Sequence, residues 1–300
     1  MAQDYMVRGT AAQGRIRAVA TVTTQMVEDA RIRHTTSATA TAALGRSLTA
    51  AALLGAGLKD RQSVLLRVLG DGPVGGIVAQ ADAEGHVRGY AVNPHADLPE
   101  TTAHKLDVGG LVGRQGTLHV TRDLGLRTAY HGSAPLVSGE IAEDLASYLA
   151  TSEQVPSVVA LGVLVAPDLH VLASGGLCVQ VLPGASEAIV ADLQARSQRL
   201  PPITQLVAGG STPEEILTAA LEGFTPTIGD TSPVAFRCRC SRQRVEETLS
   251  GLGADELDAL LEQEGQAEVT CRFCGDRYVL GRPEVETLIA GLRAGTSSVM

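Results

Sequence analysis

From Arg15 to Thr23 apolar and polar residues alternate, the period of a half-buried strand. The period then changes. Thr24 to His34 places Met26, Val27 and Ala30 on one side of a helix, and Ser37 to Gly57 is Ala/Leu-rich at helical spacing, with Gly57 as a natural stop. Val64 to Leu69 reads as a strand. Ile77 to Ala81 and His86 to Val92 flank Asp82-Ala83-Glu84-Gly85, a hairpin turn signal. Thr117 to Asp123 predicts another strand and Gly139 to Leu149 a helix. Val158 to Val165 and Leu169 to Val181 form a second hairpin around Ala166-Pro167-Asp168, and Gly175-Gly176 predicts a bend or bulge inside it. Hairpins dominate over βαβ units. Residues 1–182 are therefore expected to form an α+β domain, a mostly antiparallel sheet with helices.

Pro183-Gly184 marks a boundary. Residues 183–232 read as a helical linker. Ile189, Val190 and Leu193 recur at helical spacing, Pro201-Pro202 stops that helix, and Thr212-Pro213-Glu214-Glu215 opens another with a cap residue, a first-turn Pro and an acid three positions on. Residues 233–300 form a small α+β module. Its order is Cys-x-Cys, two short helices (Arg242 to Ser250, Ala254 to Glu264), a strand into Cys-x-x-Cys, a return strand Tyr278 to Leu280, and a helix from Pro283.

Hydrophobic residues make up 44% of the 300, enough for a sizeable core, while aromatics are 3% with no Trp, so Val, Leu, Ile and Ala must fill it. A net charge of -9 argues against a nucleic-acid binder, which needs a basic face for phosphate. No apolar run reaches the roughly 18 residues of a membrane span, and the N-terminus lacks a basic and then apolar leader. These features exclude a membrane partner and predict a cytoplasmic, reducing setting, where thiols favour metal or redox chemistry.

Cys238, Cys240, Cys271 and Cys274 are the candidate ligands. Two thiolates three apart in a tight turn can meet one metal, and Gly275 after the second tolerates positive φ. Residues two apart in an extended segment point to one face, which suits Cys238 and Cys240. A tetrahedral Zn(2+), one per chain, would staple a tail with few large apolar side chains. On spacing alone the site reads either as a permanent staple or as a switch. Cys-x-Cys is an uncommon half-site whose disulfide would close a small, strained ring, the labile kind. Arg237, Arg239, Arg242, Arg244, Arg272 and Arg277 crowd the thiols in sequence. They are expected either to favour thiolate or to line a solvated surface. Cys178, inside Leu177-Cys178-Val179, reads as a core residue.

Other signals are set aside. Gly70 to Gly76 lacks a Gly-Lys-Ser/Thr ending and reads as a turn, and no Gly-x-Ser-x-Gly elbow occurs. The seven histidines form no metal-spaced pair in sequence. No catalytic constellation emerges, so the chain is not expected to be an enzyme. A thiol oxidoreductase would place Cys-x-x-Cys at a helix start in a βαβ pattern, not between two short strands. A constitutive zinc-ribbon that binds nucleic acid is the other alternative. It requires a basic, aromatic-bearing face, whereas the tail mixes arginines with an acidic run from Asp255 to Glu264.

The tail resembles the redox switch of the 33-kDa heat-shock chaperone family, the bacterial redox-regulated holdases, in which Cys-x-Cys and Cys-x-x-Cys lie about thirty residues apart. Here residues 241 to 270 separate them. The likeness extends through Gly70-Asp71-Gly72-Pro73-Val74-Gly75-Gly76, Arg88 to Val92, Pro135 to Ala142, Ser152 to Ser157 and Val181 to Ala185. It implies an ATP-independent chaperone that holds unfolding proteins under oxidative stress with heat. The four cysteines would bind one zinc when reduced and form the disulfides Cys238–Cys240 and Cys271–Cys274 when oxidised. A homodimer is implied for the oxidised form, and residues 183–232 match the family's metastable linker. The expected client surface is the linker's apolar face: Ile189, Val190, Leu193, Ile203, Leu206 and Val207. It would be covered while the tail is folded and exposed when zinc is lost, with the Cys-x-x-Cys pair expected to meet oxidant first.

Overall fold

In the computed structural model, which describes residues 3–296, the strands β1 (Tyr5–Ala11) and β2 (Ile16–Val22) lead into helices α1 (Thr24–His34) and α2 (Ala38–Gly55). Strands β3 (Ser63–Gly70), β4 (Ile77–Asp82) and β5 (His86–Ala91) follow. After them come a short helix α3 (Val108–Val112), β6 (Gly116–Asp123), β7 (Tyr130–Pro135), α4 (Ala142–Thr151), β8 (Ser157–Val165) and β9 (Val171–Val181). Three helices come next, α5 (Glu187–Ser197), α6 (Ile203–Ala208) and α7 (Pro213–Ala220), then β10 (Thr227–Pro233) and β11 (Ala235–Phe236). The rest is α8 (Arg242–Ser250), α9 (Ala254–Glu264), β12 (Gln266–Thr270), β13 (Arg277–Gly281) and α10 (Arg282–Thr296). The chain divides into two compact units, Met1–Arg237 and Cys238–Met300. The class is α+β, as the alternation implied.

The first unit holds two sheets. One has the order β10-β1-β2-β9-β8 and the other β11-β5-β4-β3-β6-β7. Every strand pairing within them is antiparallel except β11 with β5. Helix α2 packs on strands of both sheets, which explains its composition: nearly every residue in it is buried, so no polar stripe is needed. Its start is capped by Ser37, whose hydroxyl accepts from the Ala40 amide.

The five-stranded sheet has a second apolar face. Val7 and Ala11 on β1, Ile16, Ala18 and Ala20 on β2, and Leu177, Val179 and Val181 on β9 lie under α5, α6 and α7. From those helices Leu193, Ile203, Ile216 and Leu217 are buried, and Ile189, Val190, Leu206 and Val207 pack around them half-buried. The six residues named above as the client surface therefore lie in one packed layer over the sheet. α7 is held by a full capping box: Thr212 Oγ1 accepts from the Glu215 amide while Glu215 accepts from the Thr212 amide.

The bulge expected at Gly175-Gly176 is absent. The register of β9 runs unbroken through both glycines, and the irregularity falls at Leu164/Val165 on β8. The glycines serve close approach on opposite faces instead. A Cβ at Gly175 would lie 3.0 Å from Val207 of α6, and one at Gly176 would lie 2.8 Å from Thr49 and 3.0 Å from Leu53 of α2. The helical reading of the linker also stops short. Residues 227–233 form β10, a strand on the edge of β1. Among the described residues no helix is long and apolar enough to cross a membrane.

Asp4 is a buried acid with a structural task. Thr23, the cap position of α1, makes no side-chain cap bond, and Asp4 Oδ2 accepts from the Met26 amide at 2.7 Å instead. Burial pushes its carboxyl up to about 6, against the opposing pull of the Met26 and Gln25 amides. The folded state thus holds the proton more tightly than the unfolded chain, where an Asp titrates near 4. The resulting stabilisation is complete below about pH 4 and is lost as pH rises through about 6. Asp4→Asn should therefore melt higher than wild type near neutral pH, by about 2–3 kcal/mol of stability, with the gain vanishing below about pH 4. Thermal unfolding at the two pH values measures it; an equal difference at both would contradict the assignment.

Candidate metal centre

The second unit has a small core. Val245 and Leu249 of α8, Leu257 and Leu261 of α9, Ala267 and Leu280 of the β12–β13 hairpin, and Val285 and Ile289 of α10 are its buried apolar residues. Among the described residues eight such side chains are few for some sixty positions, and small units usually need a staple.

The thiols are brought together by two local devices. The loop between β12 and β13 is closed by backbone bonds, Gly275 N–H to Cys271 O at 2.8 Å and Cys271 N–H to Asp276 O at 2.9 Å. Gly275 adopts φ +76°, a conformation glycine takes without strain. This turns the Cys271 and Cys274 side chains to one side. Cys238 and Cys240 lie just ahead of α8, whose cap, Ser241, accepts from the Arg244 amide. Strand β13 and helix α10 hold that segment on the hairpin: Arg242 donates to Val279 O and pairs with Glu284.

All four sulfurs lie within 4.8 Å of one another. Cys238 Sγ is 3.7 Å from Cys271 Sγ, and Cys240 Sγ is 3.3 Å from Cys274 Sγ. A tetrahedron of thiolates at about 2.3 Å from a central zinc has edges of about 3.8 Å, so the four sulfurs fit such an ion. All four are free thiols and none is disulfide-bonded. Cys274 is buried and the other three are half-buried. Burial pushes the Cys240 and Cys274 thiols up; the Tyr278 hydroxyl and the Asp276 amide, respectively, pull them back. Burial thus disfavours the thiolate form of these two, and a bound cation would offset that cost.

Four of the six arginines have partners other than the thiols. Arg277 pairs with Glu268, Arg242 with Glu246 and Glu284, and Arg244 donates to Arg239 O, while Arg237 contacts His86 in the first unit. The charge of Arg277 and Arg242 is directed at carboxylates, and that of Arg244 at a carbonyl. Burial of Cys274 likewise leaves Cys271 as the more accessible member of the Cys-x-x-Cys pair. Tyr278 was not singled out in the sequence beyond its place in a strand, yet its hydroxyl donates to Cys240 Sγ at 3.2 Å. Its phenol is pushed up chiefly by that bond.

Cys178 lies on β9, buried, with its thiol pushed up to about 12 by burial, and takes no part in the cluster. A second group with metal-ligand atoms, Asp82, Glu84 and His86, shapes the β4–β5 hairpin turn. There Asp82 Oδ1 accepts from the Glu84 and His86 amides.

A family profile described as Hsp33 protein matches residues 4–281. The "33 kDa chaperonin" of Oceanobacillus iheyensis is 48% identical over 286 residues, covering 95% of this chain and 99% of that one. The protein of the same name from Bacillus subtilis is 45% identical over 285 residues, with 95% and 98% covered. The crystal structure of the 33 kDa chaperonin (heat shock protein 33 homolog) from Thermotoga maritima superposes with a TM-score of 0.90 at 37% identity, covering 97% of this chain and 99% of that one. With the profile spanning most of its length and both sequence and structure matched end to end, the chain belongs to the Hsp33 family.

Proposed function

We propose that this protein is a redox-regulated, ATP-independent holdase of the cytoplasm, not an enzyme, that binds unfolding proteins and prevents their aggregation under oxidative stress with heat. The observation that carries the reading is the convergence of four free thiols in a unit whose own core is small. The names borne by its relatives support the chaperone part.

In the reduced form Cys238, Cys240, Cys271 and Cys274 would hold one Zn(2+). The ion would supply folding free energy to the tail, on the order of 10–16 kcal/mol in comparable small sites. Oxidation acts on the thiols. In each pair two thiolates form one S–S bond, and the two electrons they release, with two protons from solvent, reduce one peroxide to two waters. Two peroxides thus yield Cys238–Cys240 and Cys271–Cys274. A disulfide sulfur is a poor metal ligand, so the donor set is lost and the tail loses its staple.

The client surface is the layer formed by Ile189, Val190, Leu193, Ile203, Leu206 and Val207, which packs on β1, β2 and β9. Residues 183–232 act as the metastable linker. When they leave the sheet, two apolar surfaces are uncovered at once, and exposed apolar area of that extent captures unfolded chains. The linker runs on through β10 and β11 directly into Cys238, so loss of structure in the tail reaches it along the chain. The oxidised form is a homodimer. Reduction restores the thiols and releases clients.

The test uses full-length protein, reduced or treated with peroxide under mild heat, without nucleotide. Light scattering of a thermally unfolding client should fall only with oxidised protein, and peptide mapping should find the two disulfides named. Equal suppression by both forms would return the site to a permanent staple.

A further inference from the structure

Cys238 to Ser241 carry no helix or strand, so the Cys-x-Cys half of the site is positioned by side chains. Anchors reach it or its flank from the β12–β13 hairpin and the start of α10, among them Asp276 Oδ2, 4.0 Å from Cys240 Sγ, and two closer ones. One is Arg242, on Val279 O and Glu284. The other touches a ligand itself: Tyr278 Oη donates to Cys240 Sγ at 3.2 Å. Tyr278 lies opposite Val269 on the paired strand, and its ring packs half-buried against the eight-residue core of the unit. The hydroxyl is thus aimed by a rigid strand and a packed ring, while the sulfur it meets belongs to the irregular arm.

We propose that Tyr278 is a positioning residue for the metal centre: its hydroxyl holds the Cys240 sulfur in place on the hairpin that carries Cys271 and Cys274. This rests on the metal reading above and names a part of the site outside the four cysteines. A donor to an anionic sulfur makes a charge-assisted hydrogen bond. Partners of this kind fix ligand orientation, and their removal typically costs about 10–100-fold in metal affinity. The bond also draws electron density from the sulfur, which slows attack on electrophiles by Cys240 relative to the other thiols. Conversion of Cys240 to a disulfide removes the anionic acceptor, so this anchor fails together with the donor set.

The test compares full-length wild type with Tyr278→Phe, which keeps the ring, and Tyr278→Leu, which removes it. Zinc affinity is read by competition with a chromophoric chelator. Alkylation of each cysteine by iodoacetamide in the zinc-loaded protein is followed by mass spectrometry. Tyr278→Phe should retain the far-ultraviolet circular dichroism of wild type, bind zinc about 10–100-fold more weakly, and alkylate faster at Cys240 than at Cys271 relative to wild type. In cobalt-substituted protein its thiolate charge-transfer band should shift. Wild-type affinity and an unchanged alkylation order in Tyr278→Phe, with loss only in Tyr278→Leu, would overturn the proposal, since the ring alone would then matter. Failure of wild type itself to bind one zinc would overturn the metal reading and this inference with it.

Discussion

Cys274→Ser should leave the protein without zinc and the second unit without a fixed fold. Cys274 is the most buried of the four clustered cysteines, and its sulfur lies 3.3 Å from that of Cys240. Serine is a poor ligand for zinc, and three thiolates cannot close the tetrahedron. The free energy lost is a large part of the roughly 10–16 kcal/mol of a structural zinc site, far above what eight buried apolar side chains hold in reserve. The two sheets of the first unit, packed on the enclosed helix α2, should remain folded. The expected result is a drop from one zinc to none, with rapid proteolysis of the residues beyond Arg237 and of the linker, residues 183–232. Chaperone activity should then appear without oxidant. A variant that keeps its second unit resistant to protease would show that the core, and not the metal, holds it.

Leu217→Ala should activate the protein by a different route, with zinc still bound. Leu217 is fully buried on α7 and packs over Gly9 of β1, where a Cβ would lie 3.0 Å from its side chain. Truncation of a buried leucine costs about 2–5 kcal/mol, and the cavity would open beneath the layer that contains Leu193 and Ile203. The linker helices should then leave the sheet under conditions in which wild type is closed. Reduced Leu217→Ala, still carrying one zinc, should suppress client aggregation at a level approaching that of oxidised wild type. An inert reduced variant with a destabilised first unit would place the client surface elsewhere on the protein.

What could be read in advance follows from what each segment buries. Strands β3, β4 and β6 alternate because one face is packed, β2 is covered on both faces and its residues 18–21 are all buried, and α2 is Ala/Leu-rich because it is enclosed. Their bounds were legible within a residue or two. β10 was not, because Thr227–Pro233 is polar and almost wholly exposed; it is a strand only through its pairing with β1. β7, exposed along the edge of the other sheet, escaped for the same reason. β11 is two residues long, and its partner β5 is about 150 positions away in sequence. Gly175-Gly176 misled because a glycine pair signals either a bulge or close approach on both faces, and only the positions of α2 and α6 decide. The four cysteines were legible because metal spacing is local. The Tyr278 contact with Cys240 was not, because it joins residues 38 apart and no spacing rule describes it.

The central claim is that oxidation of the thiols, loss of zinc and gain of holdase activity are one event. The measurement that tests it most directly follows zinc release, with a metallochromic dye, and aggregation suppression in the same peroxide-treated, mildly heated sample over time. The account predicts one equivalent of zinc released per chain with activity rising in step, and both reversed by thiol reductant in the presence of zinc. Full activity with zinc still bound, or complete zinc release without activity, would contradict it.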